Sequence, residues 1–335
     1  MMEHLLESVR DRVNSLMEPE HEHVIERLAK ESVCGGKLLR PRLLIAAAGS
    51  EVETDTLVRA GAAVELVHAS LLIHDDLIDG DRERRGKPSV AFAAEVSASR
   101  SGLAEDHAER IGLTAAVVTG DILLARGLGE VARIDLPIDL RRKAMDIVDR
   151  AMSAAATGEF DDVWHAGQQP EEGLITSLLE RKTADYSFRA PLELGALIGG
   201  RPDAVVERLG SVGLRMGVLY QLRDDVLGTF GDAGITGKSA LSDLKTGAPT
   251  MLVHLASQSA SWNAVADHWG DSDADFETLT RIRVALTESG ALEQLHQRME
   301  HEVLLLRQEI ASIALEAHAR SELERLLLRT VERAR

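Results

Sequence analysis

The sequence predicts an all-α protein. Ala, Leu, Glu and Arg are abundant in stretches whose apolar residues recur with the period of a helix, whereas aromatic residues make up only 3% of the chain. Alternating runs of β-branched residues, the usual signature of strands, are few. The 335 residues are 44% hydrophobic and show no break in composition, so we expect one domain over residues 1–335 with a large buried core.

Periodicity and breaker residues divide the chain into helices. Gly35 and Gly36 interrupt the pattern, and Pro41 suits the first turn of the helix that follows. Two polar stretches without a clear period, residues 97–112 and 259–275, are interpreted as surface loops. The predicted helices, in chain order, are residues 3–29, 39–49, 54–79, 110–131, 138–165, 171–198, 202–228, 248–258, 273–288 and 290–332. The last of them is amphipathic and is expected to pack on the core.

The overall charge excludes one class of function. With 38 basic and 55 acidic residues the net charge is −17, which is the wrong sign for a general nucleic-acid binder. No run of 18 apolar residues and no apolar signal region are found, so we expect no membrane span and a cytoplasmic location. A single cysteine, Cys34, excludes an internal disulfide and a zinc site built from cysteines.

The most informative stretch is LLIHDDLIDGDRERRGKP, residues 71–88, in which Asp75, Asp76 and Asp79 precede two adjacent arginines. On a helix, Asp75 and Asp79 lie one turn apart on the same face, so their oxygens can converge on a hard cation such as Mg²⁺. Arg84 and Arg85 fit phosphate oxygens. The pattern therefore indicates a metal-bridged diphosphate. A single motif of this kind could also be only a solvated acidic helix end followed by a basic loop.

A second acidic pair makes the functional interpretation stronger. Asp224 and Asp225 again follow an apolar helical stretch, and Gln221 lies on their side of the helix. Further candidate binding residues, which are cations or polar groups outside the two aspartate motifs, are Lys37, Arg40, His68, Lys182, Thr183, Lys238 and Lys245. Taken singly, Lys37 and Arg40 could merely solvate a helix end, and His68 could be a core histidine.

Together these motifs resemble those of the all-trans isoprenyl diphosphate synthases, in order and in approximate spacing. The resemblance covers most of residues 30–255 and rests on GGKLLRP, HDDLID with RRGKP, RKTADYSF, YQLRDD and TGK. It implies an all-α bundle of the isoprenoid synthase type with a central active-site cavity. It also implies a homodimer and Mg²⁺ as cofactor, with three ions per active site.

The resemblance further implies a role for each matching residue. The metal ligands would be Asp75, Asp79 and Asp224, whereas Asp76 and Asp225 would orient neighbouring groups. Residues that would bind the allylic diphosphate are Arg84, Lys182 and Lys238. Residues that would bind isopentenyl diphosphate without metal are Lys37, Arg40, His68 and Arg85. Thr183 and Gln221 would stabilise the carbocation with neutral oxygens, and the released diphosphate would remove the final proton.

Three departures from the family pattern are relevant to binding. Gly228 replaces the usual third aspartate of the second motif, which predicts weaker metal binding rather than lost activity. Ala248 stands where the family often has a lysine. This substitution puts one contact to the allylic diphosphate in doubt. Glu159 replaces a usual glutamine.

The length of the product is inferred from residues upstream of Asp75. Ser70 and Leu71 are expected to line the tail pocket just beneath the metal, and no aromatic residue lies between positions 57 and 79 to block it. A twenty-carbon product, geranylgeranyl diphosphate, is therefore favoured, with longer polyprenyl and farnesyl products as alternatives. On this view Ser70→Phe should shorten the product to fifteen carbons.

Two other functions share part of this pattern. A class I terpene cyclase would use the same metal-triggered ionisation, but it has no need of a second diphosphate site. A non-catalytic partner subunit of a heteromeric synthase would typically have lost an aspartate-rich motif, whereas the first one is complete here.

Overall fold

The computed structural model describes residues 1–18, 23–169, 171–231 and 242–331, and these are predominantly α-helical. The chain divides into two compact units. One comprises Met1–Val148 with Pro191–Asp203, and the other comprises Asp149–Ala190 with Ala204–Arg335. The all-α prediction is confirmed, and the single domain stays a prediction.

The first elements in chain order are α1 (Met2–Leu16), α2 (Val24–Ser32), α3 (Leu39–Ala48), α4 (Thr54–Ile78), β1 (Glu83–Arg84), β2 (Lys87–Pro88), α5 (Val90–Arg100), α6 (Glu105–Ala132) and α7 (Ile138–His165). They are followed by α8 (Glu172–Leu179), a π-helical segment (Glu180–Arg189), α9 (Ala190–Ile198) and α10 (Asp203–Phe230). The remaining elements are α11 (Ser242–Thr246), α12 (Met251–Ala256), α13 (Ala260–Asn263), a 3₁₀ turn (Ala266–His268), α14 (Phe276–Glu288), α15 (Ala291–Ser312) and α16 (Ala317–Val331).

In the first unit, α4 is the central helix, because α1, α3 and α6 all pack against it. One buried cluster contains Val9 of α1, Leu66 and Ile73 of α4, and Leu123 of α6. Burial of each such side chain stabilises the fold by about 1.5–3 kcal/mol. This packing fixes the carboxyl end of α4, where the first aspartates lie.

A buried ion pair also joins α1 to α6. Arg12 donates hydrogen bonds to both carboxylate oxygens of Glu130, at 3.0 and 2.9 Å, and the Glu130 side chain is only 1% exposed. Arg59 of α4 lies 3.6 Å from the same carboxylate. Because a buried carboxylate is costly without cations, this network requires the three helices to meet in one register.

The second unit is held by comparable contacts between its long helices. Arg215 of α10 reaches Glu302 and Glu309, both on α15, at 2.5 Å each. Arg150 of α7 binds Asp185 of the π-helical segment at 3.1 Å. The π-helical segment is therefore tied to α7.

Several predicted boundaries were wrong. Residues 97–112 are mostly helical, because α5 continues to Arg100 and α6 begins at Glu105, which leaves only a short turn that contains Gly102 with a φ of +84°. The polar side chains of this stretch lie on exposed helix faces. The predicted helix 290–332 is divided into α15 and α16, and the predicted helix 3–29 is divided into α1 and α2.

The short hairpin β1–β2 was missed, because two residues per strand are too few for an alternating pattern. Arg84 pairs with Lys87 across the hairpin. The two turn residues between them, Arg85 and Gly86, have φ values of +55° and +75°. Two consecutive positive φ values are typical of a type I′ turn, which suits the twist of a two-residue hairpin and favours glycine at its second position.

Two helices, α4 and α6, are long and apolar enough to cross a membrane by length and composition alone. For α4, 72% of the apolar window is buried within the protein, whereas for α6 the buried share is 39%. The apolar surface of α4 is thus used for the core. The expectation of no membrane span stays a prediction.

Candidate active site

The first aspartate-rich motif lies at the carboxyl end of α4. Asp75 is partly exposed, Asp76 is buried, and Asp79 is exposed and ends the helix. The backbone N–H of Asp79 donates to the carbonyl of Asp75 at 2.9 Å, which places the two residues one helical turn apart. Both side chains are thus at least partly exposed on one face of α4, as a metal site requires.

The hairpin brings Arg84 onto these aspartates. Arg84 Nη2 lies 3.1 Å from Asp75 Oδ2, and the guanidinium also contacts the Asp76 carboxylate. Burial alone would lower the pKa of Arg84. The hydrogen bond to Asp76 and the Asp76 charge more than offset the effect of burial, so the net shift of the Arg84 pKa is upward. Burial raises the pKa of Asp76 despite the opposing effect of Arg84.

The next hairpin residue, Arg85, lies in a different environment. A methyl group placed on Gly36 would lie 3.5 Å from Arg85 Nη1 and 3.4 Å from Glu65 Oε1, so both side chains approach the glycine-rich loop before α3. Burial raises the pKa of Glu65, and the charges of Arg40 and Arg85 oppose that rise. The structure therefore brings Arg40 and Arg85 together around one carboxylate.

His68 lies in the same cluster. Its imidazole is buried, and burial together with the charges of Arg40 and Arg85 holds its pKa well below the ordinary value. A neutral imidazole can donate one hydrogen bond to an anion but adds no charge. Lys37 is exposed on the loop before α3.

Two residues of this cluster were missed by sequence analysis. Glu65 lies three positions before His68 on α4, and that spacing could have revealed it. Arg10 lies on α1 and acts electrostatically on Glu65. No local motif indicates Arg10, because its place in the cluster depends on how α1 packs against α4.

The second acidic pair repeats the pattern of the first one. Asp224 is partly exposed and Asp225 is buried, like Asp75 and Asp76. Gln221 Nε2 donates to Asp225 Oδ1 at 3.4 Å. In both pairs the first aspartate is partly exposed, and the second is buried against a neighbouring side chain. The expectation that Asp76 and Asp225 orient other groups stays a prediction.

The lysine of the RKTADYSF motif lies on the π-helical segment. Lys182 Nζ lies 2.6 Å from Asp162 Oδ2 and 3.2 Å from Glu159 Oε2, and both carboxylates belong to α7. Thr183 is partly exposed beside it. Lys238, the third predicted ligand of the allylic diphosphate, lies outside the described residues.

The two residues predicted to control product length differ in accessibility. Ser70 has no exposed surface, whereas Leu71 is partly exposed. Leu71 also lies one helical turn from Asp75 on the same face of α4. Of the two, Leu71 is therefore better placed to contact a substrate bound at Asp75.

The donor set fits a hard divalent cation. Asp75 and Asp79 offer carboxylate oxygens one turn apart, and Arg84 supplies the positive charge that Asp75 and Asp76 require. Among the described residues, no three His, Cys, Asp or Glu side chains converge into a metal-binding group. Mg²⁺ commonly takes one or two protein carboxylates and shares its remaining positions with phosphate and water. These aspartates would therefore hold Mg²⁺ together with a bound diphosphate.

The comparisons with known proteins agree with this chemistry. The polyprenyl synthetase family model matches residues 22–283. A geranylgeranyl diphosphate synthase of Methanosarcina mazei is 30% identical over 263 residues, which are 77% of this chain and 74% of the relative. A geranylfarnesyl diphosphate synthase of Aeropyrum pernix is 27% identical over 314 residues, which are 90% and 91% of the two chains.

A solved structure shows the same fold. The geranylgeranyl pyrophosphate synthase from Corynebacterium glutamicum, in complex with isoprenyl diphosphate and magnesium, superposes with a TM-score of 0.90 and 26% identity over 98% of each chain. The chain therefore belongs to the polyprenyl synthetase family of all-trans isoprenyl diphosphate synthases, and it is a prenyltransferase that condenses isopentenyl diphosphate with an allylic diphosphate.

Proposed function

We propose that this chain is a Mg²⁺-dependent synthase whose main product is geranylgeranyl diphosphate. The observation that carries the proposal is the division of two adjacent arginines between two environments. Arg84 binds the carboxylates of Asp75 and Asp76, whereas Arg85 approaches Gly36 and Glu65. Condensation needs two diphosphate sites, one with metal and one without, and the turn at Arg85 and Gly86 would direct one arginine to each.

Each group of residues would have its own task. Asp75, Asp79 and Asp224 would hold Mg²⁺, which neutralises the negative charge that develops on the departing diphosphate. Arg84, Lys182 and Lys238 would bind the allylic diphosphate. We propose three ions per active site, as the family resemblance implies.

The second substrate requires cations without metal. Arg40, Arg85 and Lys37 would bind the diphosphate of isopentenyl diphosphate, and the neutral imidazole of His68 would donate a hydrogen bond. Because its pKa is well below the ordinary value, His68 stays uncharged at neutral pH. In the substrate-free chain His68 therefore adds no positive charge to this site near pH 7.

The carbocation must survive until the second substrate attacks. Thr183 and Gln221 offer neutral oxygens that stabilise positive charge without forming a bond to it. Tyr220 packs its ring 5.4 Å from that of Phe188, and would shield the isoprenoid chain from water. The released diphosphate would take the final proton, so no further general base is required.

The product length rests on the region below Asp75 and on relatives. The M. mazei and C. glutamicum proteins bear the name of geranylgeranyl diphosphate synthases, whereas the A. pernix protein makes a longer product by its name. The absence of an aromatic residue from α4 argues against an early stop. We therefore favour twenty carbons, with longer chains and farnesyl diphosphate as alternatives.

We also propose a homodimer. Helix α6 presents exposed apolar side chains at Leu113, Val117 and Val118, and a stripe of this kind is normally covered by a partner. A second copy of the chain is the partner that family membership suggests. Light scattering at micromolar concentration should give the mass of a dimer, and a fully active monomer would contradict this. The cytoplasmic location stays a prediction.

One experiment tests the function as a whole. Purified protein would be incubated with Mg²⁺, isopentenyl diphosphate and each of dimethylallyl, geranyl and farnesyl diphosphate, and the products would be sized by chromatography. We expect twenty-carbon diphosphate from each primer. Cyclic hydrocarbons would indicate a cyclase, and no turnover with any primer would indicate a non-catalytic partner subunit.

A further inference from the structure

Lys182 is held by two carboxylates of α7 rather than one. Its Nζ lies 2.6 Å from Asp162 Oδ2, and 3.3 and 3.2 Å from the two oxygens of Glu159. Glu159 is only 18% exposed and Lys182 is 25% exposed, so water screens the pair incompletely. This arrangement leaves one ammonium group beside two negative charges.

The backbone fixes Lys182 in this position. A methyl group placed on Gly158 would lie 2.4 Å from the backbone nitrogen of Lys182 and 2.8 Å from its Cα. No residue larger than glycine fits there, so α7 and the π-helical segment touch through their backbones. Because Glu159 follows Gly158 on α7, the backbone of Lys182 lies close to Glu159. The contact with Glu159 follows from the packing of the two elements.

We propose that Glu159 is a specificity-determining residue that weakens binding of the allylic diphosphate by competing for Lys182. This inference rests on the proposed role of Lys182 in binding that substrate. A diphosphate that accepts a hydrogen bond from Nζ must share it with Glu159, and it also meets the repulsion of the Glu159 charge. Asp162 lies closer to Nζ, at 2.6 Å, and we expect it to keep the lysine in position when the charge of Glu159 is removed.

The decisive variant is Glu159→Gln, which removes the charge but keeps the size of the side chain and an oxygen acceptor. The Michaelis constant for farnesyl diphosphate should fall by about three- to tenfold, in the range of one partly exposed charge contact. The Michaelis constant for isopentenyl diphosphate and kcat should stay within about twofold of the parent values. A merely structural role for Glu159 would move both Michaelis constants together or lower thermal stability.

A matched control lies two residues further on the same helix. Asp161 Oδ2 lies 2.8 Å from Arg181 Nη2, so it forms the same kind of contact with the cation next to Lys182. Asp161→Asn removes the same charge from the same helix, two residues away. It should leave both Michaelis constants unchanged if the effect of Glu159 operates through Lys182. An equal fall in both variants would show a general electrostatic effect and would overturn the proposal.

A binding measurement separates this inference from the proposed function. Calorimetric titration of the Mg²⁺-loaded proteins with inorganic diphosphate should show tighter binding to Glu159→Gln than to the parent and to Asp161→Asn. If the parent condenses substrates but Glu159→Gln shows no gain in affinity, the inference about Glu159 fails alone. If the parent condenses nothing but the affinity gain is present, the proposed function fails and the competition for Lys182 stands.

Discussion

Arg84 Nη2 lies 3.1 Å from Asp75 Oδ2, so a guanidinium occupies the carboxylate that is expected to bind the metal. The same group also contacts Asp76, which is buried. Without metal, the aspartates at the end of α4 would repel one another, and Arg84 offsets that repulsion. Arg84 thus has a structural role in the metal-free chain beside its proposed role toward the allylic diphosphate.

Arg84→Ala should therefore destabilise the metal-free protein. Loss of the guanidinium leaves the buried carboxylate of Asp76 without a charged partner, at a cost of about 1–3 kcal/mol in the free energy of unfolding. Added Mg²⁺ should restore more stability to this variant than to the parent, as measured by urea unfolding with and without the ion. Arg82→Ala is the control, because Arg82 is exposed and lies 3.7 Å from Glu95. Equal stabilisation of Arg84→Ala and the parent by Mg²⁺ would contradict the argument.

Asp75→Ala and Asp79→Ala should each abolish turnover but leave the fold intact, because removal of a ligand also removes carboxylate repulsion. Product formation would be assayed with radiolabelled isopentenyl diphosphate, and helicity by circular dichroism. EDTA should stop the parent enzyme, and added Mg²⁺ should restart it. Near-normal turnover in either variant, with a loss of helicity, would mean that the metal assignment is wrong.

Arg85→Ala should raise the Michaelis constant for isopentenyl diphosphate by about ten- to hundredfold, which corresponds to the loss of a charge-assisted contact of about 1.5–3 kcal/mol. The constant for the allylic primer should change much less. Arg84→Ala should show the opposite preference in the same steady-state assay. If both variants affect both substrates equally, the two arginines do not serve different substrates.

Glu65 should make stability depend on pH. Burial raises its pKa above the ordinary value of 4.5, so the folded state binds a proton more tightly than the unfolded state. Its contribution to stability is therefore lost as the pH rises from about 4.5 through the folded pKa. The free energy of unfolding of Glu65→Gln should fall less between pH 4 and pH 7 than that of the parent. Glu51→Gln, at an exposed position before α4, is the control and should follow the parent curve.

The product-length hypothesis is tested by Leu71→Phe and Ser70→Phe. Leu71 is partly exposed one turn from Asp75, so an aromatic ring there should shift the main product from twenty to fifteen carbons. Ser70 is fully buried, so Ser70→Phe should shorten the product only at a cost of about 1–3 kcal/mol in stability from overpacking. Chromatography of the products and thermal unfolding would separate the two effects. If both variants give the same product as the parent, α4 does not line the tail pocket.

The helical fold and the aspartate motifs were predictable because they depend on local properties. Apolar periodicity is set by the geometry of one helix, and the spacing of Asp75 and Asp79 places them on one face wherever that helix lies. The boundaries of α5 and α6 were not predictable in this way, because their polar residues suit both a loop and an exposed helix face. The hairpin was too short to leave a pattern.

The sequence by itself determined which residues are the candidates for the chemistry: two aspartate pairs, the adjacent arginines and the lysine of the RKTADYSF motif. Only the tertiary structure decided their partners. The positive φ values of Arg85 and Gly86 direct the two arginines to different carboxylates, and the backbone contact at Gly158 places Lys182 beside Glu159. These partners lie on different elements of the chain, and the distances between them follow from packing, which no local spacing in the sequence encodes.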